Sequence, residues 1–391
     1  MHQLDQPSSK MKQPLVFVAT TPFSVNAALR THLLALVKAH EVTLCVNTTA
    51  YPLVEELAHA VRIRHIDIAR KIAPWQDLIA LYQLFRCFRE IRPATVHSVT
   101  PKAGLLAMMA AWLSGVQLRF HTFTGQVWAT RTGIARELLK GIDRLIALCA
   151  TQVFADGFSQ CRFLEDEGIV RRGGVTMLGQ GSIAGVDLAR FRPDPLARAA
   201  LRHQTGVADA VPVFLFVGRI VRDKGVFDLV EAFAELNAKH GLWELWMVGP
   251  DEDGLQTSLK AEGERLGARI RWLGPTPVPE RYMAAADVFV LPSYREGFST
   301  VIIEAAACGI ATIGSRINGV VDAIVEESTG CLVTAGEIKE LTQVMDRLGA
   351  DRKMLSDMGQ AAMSRAVENF SSSTVSAAWL SFYSLVLKNK A

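Results

Sequence analysis

The chain reads as α/β, with two doubly wound parallel-sheet domains facing a cleft. Three observations predict this. Short apolar runs closed by turn residues alternate with helix-period segments, as in 15–18, 27–39 and 42–46, and again in 213–217, 226–239 and 245–249. Strands and helices in that order build parallel sheets whose ligands collect at the carboxyl ends of the strands. The length of 391 residues suits two domains, and Phe191-Arg192-Pro193-Asp194-Pro195 supplies a stiff break between them. The expected division is a first domain over 1–190, a second over 196–370 and a terminal helical segment over 371–391.

Composition narrows the class. Half of the residues are hydrophobic, enough for two cores, and 42 Lys and Arg against 39 Asp and Glu leave a formal charge of +3. That balance is too mild to point to nucleic acid, although it allows local basic patches for phosphate or anionic lipid. Cys45, Cys87, Cys149, Cys161, Cys308 and Cys331 are scattered without metal-ligand spacing, so buried thiols in a reducing compartment are expected and zinc is not. The polar amino terminus, MHQLDQPSSKMKQP, has no apolar core of a signal peptide. The most apolar stretch, 103–116, is shorter than the roughly 20 residues a spanning helix needs and reads as a core helix. A cytoplasmic protein is expected.

In the first half, 15–18 is a buried strand, Thr20-Thr21-Pro22 turns the chain, and 27–39 is a helix. The loop TTPFSVNAA contains no Gly; Ser24 and Asn26 can serve it as donors or as turn and cap residues. Strands follow at 42–46 and 63–68. In the helix over 74–91, Leu78, Leu81, Leu84, Phe85 and Phe88 recur at helical spacing. A short strand at 95–97, a loop over 98–102 and the helix over 103–114 lead to a strand at 117–120, which runs into His121-Thr122-Phe123-Thr124-Gly125. A helix starts near Thr132, where Arg131, Arg136, Lys140 and Arg144 interleave with Ile134, Leu138, Leu139, Ile142 and Leu145. That interleaving suits a membrane surface or a diphosphate headgroup; a core-packing helix with a solvated basic face has the same pattern. Beyond the strand at 153–155, the helix over 159–167 and a last strand ending near 177, Gly181 reads either as a turn or as a close approach to phosphate.

In the second half, the strand over 213–217 is followed by Gly218-Arg219, Asp223-Lys224-Gly225 and a helix over 226–239. Arg219 offers a planar fork of donors and Lys224 a point charge. Strands at 245–249 and 271–274, and a helix over 282–286, lead to the apolar run 288–291, which Pro292-Ser293 ends. The next stretch reads YREGFSTVIIEAAACG: a loop with Glu296, N-cap residues Ser299 and Thr300, a small-residue helix with Glu304 in its second turn, and Gly309 at its stop. Loop amides and a helix N-terminus suit a phosphate, and two carboxylates suit sugar hydroxyls. A phosphorylated sugar, and above all a nucleotide sugar, is the expected ligand. A strand at 311–314, closing turns at 318–320 and 329–333 and a helix over 375–387 complete the chain.

The run from Pro292 to Gly309 resembles the acidic E-x7-E motif of retaining glycosyltransferases with the GT-B fold, family 4 in particular. Arg219 to Gly225 resembles that family's diphosphate clamp, and Gly185-Val186-Asp187 with Phe191 its end-of-domain signature. The resemblance implies two Rossmann-like domains, an acceptor on the first, a nucleotide sugar on the second and a terminal helix packed back on the first. It gives Glu296 to the transferred sugar, Glu304 to the ribose, and Arg219 and Lys224 to the leaving diphosphate, with Gly297, Phe298, Ser299 and Thr300 completing the donor site. His121, read at a strand's carboxyl end, resembles the catalytic-cleft His that meets the donor sugar, and His97 would line the acceptor side. The segments TPKAGLL and HTFTGQVWATRTGIARELLKGIDRL resemble bacterial transferases that extend sugars on undecaprenyl diphosphate, the N-acetylgalactosaminyl type most of all. A UDP-linked donor, a lipid-linked acceptor and no metal are implied, with attachment to the inner face of the plasma membrane if Arg131, Arg136, Lys140 and Arg144 dock there.

The chemistry implied is transfer with retention, in which cations stabilise the departing diphosphate; no second carboxylate is spaced for double displacement. A sugar-nucleotide epimerase and a noncatalytic sugar-nucleotide or lipid-binding partner remain as rival readings. A dinucleotide-binding dehydrogenase is disfavoured because no G-x-G-x-x-G follows Val18.

Overall fold

The computed structural model describes residues 12–49, 52–69 and 73–388; the polar amino-terminal segment lies outside the described residues through residue 11. The first domain runs β1 (Pro14–Val18), α1 (Pro22–Ala28), α2 (Arg30–Leu36), β2 (Glu41–Val46), α3 (Glu55–Ala60), β3 (Arg62–His65), α4 (Pro74–Ile91), β4 (Thr95–Val99), α5 (Pro101–Leu113), β5 (Leu118–Phe123), α6 (Gly133–Cys149), β6 (Gln152–Ala155), α7 (Phe158–Asp166) and β7 (Val175–Met177). The second runs α8 (Pro195–Thr205), β8 (Val213–Val217), α9 (Val226–His240), β9 (Glu244–Val248), α10 (Gln256–Arg265), β10 (Ile270–Gly274), α11 (Pro279–Ala285), β11 (Val288–Leu291), α12 (Thr300–Ala307), β12 (Ala311–Ser315), α13 (Val320–Ala323), β13 (Gly330–Val333), α14 (Ile338–Ala350) and α15 (Arg352–Phe370). A last helix, α16 (Ser372–Lys388), follows.

Both sheets are parallel. The first pairs in the order β3-β2-β1-β4-β5-β6-β7 and the second in the order β10-β9-β8-β11-β12-β13. Strand order therefore reverses between β1 and β4, and between β8 and β11, and such switch points open a crevice at the strands' carboxyl ends. Central strands covered on both faces need apolar side chains on both, which is why Val288 to Leu291 reads as an unbroken apolar run; all four are fully buried.

The first sheet is covered on one face by α4, α5, α6 and α7. On the other face, α1, α2 and α3 are joined by α16, whose Val375, Trp379, Tyr383 and Leu387 recur every four residues and are buried against β1 and α2. Trp379 stacks on His97, 4.8 Å between ring centroids, and the Tyr383 hydroxyl lies 2.7 Å from His97 Nδ1. The chain crosses between domains twice, and the crossings are stitched together: Val186 N–H donates to Phe370 O at 2.7 Å and Ser372 N–H to Val186 O at 2.8 Å.

Several boundaries differ from the sequence reading. The first helix begins five residues early because Thr21 caps it, with Pro22 in the first turn; it breaks at Leu29 into α1 and α2. Helix α5 begins inside the expected 98–102 loop. The linker is shorter than expected, since the Asp194 carboxylate accepts the Ala197 N–H at 2.8 Å and starts α8 there. The expected turn near 329–333 is the edge strand β13. In α4 the buried face is Ala80, Leu84, Cys87 and Phe88, whereas Leu78 is exposed.

Candidate functional site

The second domain's switch point brings two turns together. After β8 a short 3-10 turn, Arg222–Lys224, ends in Gly225, and after β11 the chain turns at Pro292. Gly225 has φ +66°, and a Cβ there would stand 2.0 Å from the Pro292 carbonyl oxygen, so only Gly lets the turns touch. The result is an ion pair: Lys224 Nζ lies 2.5 Å from Glu296 Oε1, both side chains mostly buried, and the Ser293 hydroxyl donates to the same oxygen at 2.8 Å. The loop is tied further to the 3-10 turn and α9. The Tyr294 hydroxyl donates to Asp228 at 2.6 Å, and Arg295 donates to Asp223 through two nitrogens at 3.0 and 3.2 Å.

Gly297 and Phe298 continue the loop into α12, which Ser299 precedes and Thr300 opens. An α-helix leaves its first N–H groups without intrahelical partners, a fit for phosphate oxygens. Glu304 stands one turn on. Burial pushes its carboxyl up to about 7, with the Arg190 guanidinium opposing and Glu280 adding to the rise; Arg190 and Glu280 are themselves paired at 2.6 Å. Arg219 is not joined to Lys224 in this arrangement. It points to Glu252, in the loop after β9, at 2.9 Å, and is half exposed. The two expected diphosphate donors thus hold different acids.

The first domain meets the Glu296 loop through Thr124-Gly125 after β5 and Asp156-Gly157 after β6. A Cβ on Gly297 would lie 2.7 Å from the Thr124 carbonyl oxygen and 2.8 Å from Asp156 Oδ2. His121 is not at this edge. Strand β5 runs on to Phe123, pairing with Ala155, which leaves His121 inside the sheet and fully buried. Its ring fills the space that Gly104 leaves on α5, and its Nδ1 lies 2.8 Å from the Ser98 hydroxyl. Burial lowers its pKa to about 3, so it is neutral there. His97 is likewise a core residue, held between Tyr383 and Thr122. Ser24 and Asn26 are occupied locally, Ser24 with Thr21 and Asn26 with Pro52 and Val54. Gly181 packs on the Asp156 carbonyl and the Phe298 ring rather than facing a phosphate.

Sequence reasoning missed Asp156, Thr124, Ser293 and the second seam contact, in which the Asp322 carboxylate accepts the Ser159 N–H at 3.0 Å and its hydroxyl at 2.7 Å. An acid immediately beyond a buried strand and before a Gly, as in Ala155-Asp156-Gly157, was the available signal. The basic face of α6 is largely used up internally. Arg136 and Lys140 converge on Glu167 at 2.7 and 2.8 Å and lie over the Trp128 ring, while Arg144 donates to the Gly168 carbonyl at 2.9 Å. Of the four expected membrane cations, only Arg131 is exposed with no such partner.

Known proteins resemble this chain over most of its length. Residues 197–365 match the family described as Glycosyl transferases group 1, and residues 25–172 the Glycosyl transferase 4-like domain. The capsular polysaccharide biosynthesis glycosyltransferase CapM of Staphylococcus aureus is 28% identical over 85% of this chain and 86% of its own. An Escherichia coli UDP-Gal:alpha-D-GlcNAc-diphosphoundecaprenol alpha-1,3-galactosyltransferase is 27% identical over 82% of each. Among solved structures, the sucrose-phosphate synthase of Thermosynechococcus elongatus superposes with a TM-score of 0.80 at 20% identity, covering 97% of this chain and 100% of that one. Anabaena HepE in complex with UDP superposes at 0.78 and 19%, covering 96% and 100%. With its 4-like first domain and group 1 second domain, the chain belongs to the glycosyltransferases, on the GT-B fold.

Proposed function

We propose that this protein is a retaining glycosyltransferase that moves a sugar, an N-acetylhexosamine such as N-acetylgalactosamine, from a UDP-linked donor to a saccharide carried on undecaprenyl diphosphate. The observation that carries the reading is the Lys224–Glu296 pair at the β8/β11 switch point, at the approach to the α12 N-terminus. A nucleoside diphosphate entering this crevice would take the Lys224 ammonium and reach for Arg219, freeing Glu296 to accept a hydroxyl of the transferred sugar. Glu304, one turn into α12, would accept a hydrogen bond from the ribose. Cationic and amide donors that meet the leaving diphosphate lower the barrier most where charge builds up. The departing phosphate oxygen takes the proton of the acceptor hydroxyl as the new bond forms on the same face, so the anomeric configuration is kept and no metal takes part.

The acceptor assignment rests on likeness to the diphosphoundecaprenol-acting relative. A lipid-linked acceptor calls for a face toward the bilayer, and the face proposed here is apolar rather than the basic one expected. On α6, Ile134, Leu138, Leu145 and Leu148 are exposed on one stripe, and on α4 Trp75, Leu78, Ile79 and Tyr82 form another. Exposed apolar stripes with Trp, Tyr and flanking Arg suit the headgroup region. No helix among the described residues is long and apolar enough to cross a membrane.

The test is a panel of UDP-, GDP- and dTDP-sugars offered with an undecaprenyl-diphosphate-linked sugar, the anomeric configuration of the product being read by NMR. Transfer from a UDP sugar with retention, abolished by Glu296→Ala, is expected. An inverted product, or an epimerised donor formed without acceptor, would end this reading.

A further inference from the structure

The first domain grips the Glu296 loop through one carboxylate. Asp156 stands one residue beyond β6 and is buried; its Oδ2 accepts the Phe298 N–H at 3.0 Å, while its Oδ1 has no hydrogen-bond partner. Its carbonyl oxygen accepts the Ser182 N–H at 2.7 Å, so backbone and side chain are both fixed. The surrounding backbones exclude side chains. A Cβ on Gly125 would stand 2.8 Å from Gly297 N, one on Gly181 2.8 Å from the Asp156 carbonyl oxygen, and one on Gly319 1.9 Å from the Gly297 carbonyl oxygen. Phe298 has no slack of its own, since its ring packs 5.2 Å from that of Phe370. It is two residues from Glu296.

The other ties on this loop, from Lys224, Ser293, Asp223 and Asp228, lie within the second domain and survive any separation of the domains. The Asp156–Phe298 bond does not. Resting on the assignment of Glu296 to the donor sugar, we propose that Asp156 is a positioning residue: from the acceptor domain it sets where Glu296 stands, so the sugar-gripping acid comes into register only when the two domains are closed on each other. Transfer chemistry is thereby withheld until the acceptor side is in place, which limits loss of the donor to water.

The ionised carboxylate is the form that makes the stronger bond to an N–H. Burial pushes Asp156 up to about 7, with Asp322 and Glu296 adding to the rise and the Phe298 N–H opposing it. The other charged or titratable groups around the seam are Lys224, paired with Glu296, Arg365, bonded to the Asp322 carbonyl, and Cys161 on α7. Protonation of Asp156 as pH falls through 7 weakens the hold on the loop.

The test compares Asp156→Ala, Asp156→Asn and Ser159→Ala, the last loosening the seam without touching the loop. Amide hydrogen exchange at Phe298 and kcat against donor KM are measured from pH 5.5 to 8.5. In Asp156→Ala, exchange at Phe298 rises and kcat falls by about 10- to 100-fold, the range a hydrogen bond to a charged group represents, with donor KM little changed. Asp156→Asn, whose side-chain carbonyl can still accept, recovers to within a few fold and loses the acid-side fall in kcat. Unchanged Phe298 exchange in Asp156→Ala, or the same pattern in Ser159→Ala, overturns the proposal. Exchange is read without turnover, so it decides the matter even if Glu296→Ala proves active and the donor assignment fails.

Discussion

Lys224→Ala isolates the cation on which the proposed chemistry turns. The side chain is 15% exposed and its partner Glu296 12%, between the exposed pairs that contribute about 0.2–1 kcal/mol and the buried ones whose breakage costs about 3–5 kcal/mol. A loss of about 1–2 kcal/mol follows, a fall of about 2–8 °C in the melting temperature of a domain this size. The loop keeps its shape, because Ser293 still holds Glu296 and Asp223 and Asp228 still hold Arg295 and Tyr294. Catalysis suffers more. Removing one preorganised donor from a developing charge costs about 100- to 1000-fold in kcat. The assay is radiolabelled sugar transfer to lipid-linked acceptor under saturating donor, beside thermal unfolding of the same preparation. A folded Lys224→Ala enzyme within tenfold of wild type would refute the placing of the leaving diphosphate at this turn.

Gly125→Ala, with φ +86° and its Cβ 2.8 Å from Gly297 N across the seam, forces the domains apart; small-angle scattering should show a larger radius of gyration and transfer should fall at least tenfold. Trp379→Ala removes a side chain buried between His97 and His32, and urea unfolding should register a loss of about 3–5 kcal/mol. His32 is buried, and burial lowers its pKa to about 4. The unfolded chain binds the proton first, so its contribution is full above about pH 6.5 and is lost as pH falls toward 4. Stability curves from pH 7 to 4.5 should therefore fall more steeply for wild type than for His32→Gln. That paired difference matters because Asp156 and Glu304, raised to about 7, give the opposite slope over much of the same window. Transfer should persist in EDTA, and Ile134→Ser with Leu138→Ser should weaken flotation with anionic vesicles severalfold while leaving transfer to a water-soluble acceptor intact.

The fold was legible because a parallel strand covered on both faces must be apolar throughout: 15–18, 213–217 and 288–291 stand out in the sequence and are the centres of the two sheets. The loop with Glu296, the turn with Lys224 and the helix with Glu304 could be placed from strand ends and Gly positions for the same reason. What could not be read was anything set by pairing across distance. The end of β5 is fixed by its ladder to β6, so His121, at the end of an apolar run, lies inside the sheet. The cations of α6 find Glu167 more than twenty residues on, which no helical period reveals. The domain seam depends on backbone approach at Gly125 and Gly297, about 170 positions apart.

The seating of α16 beneath the first sheet bears on how the protein is made. During synthesis the strands β1 to β7 emerge early, yet Trp379 and Tyr383, which cover His97 and Phe17, emerge only after the whole second domain. Until then one flank of the amino-terminal lobe is bare hydrocarbon, a surface on which a holding chaperone could act. A stop codon near position 371 would leave that flank bare for good, even though every proposed donor-site residue had been translated.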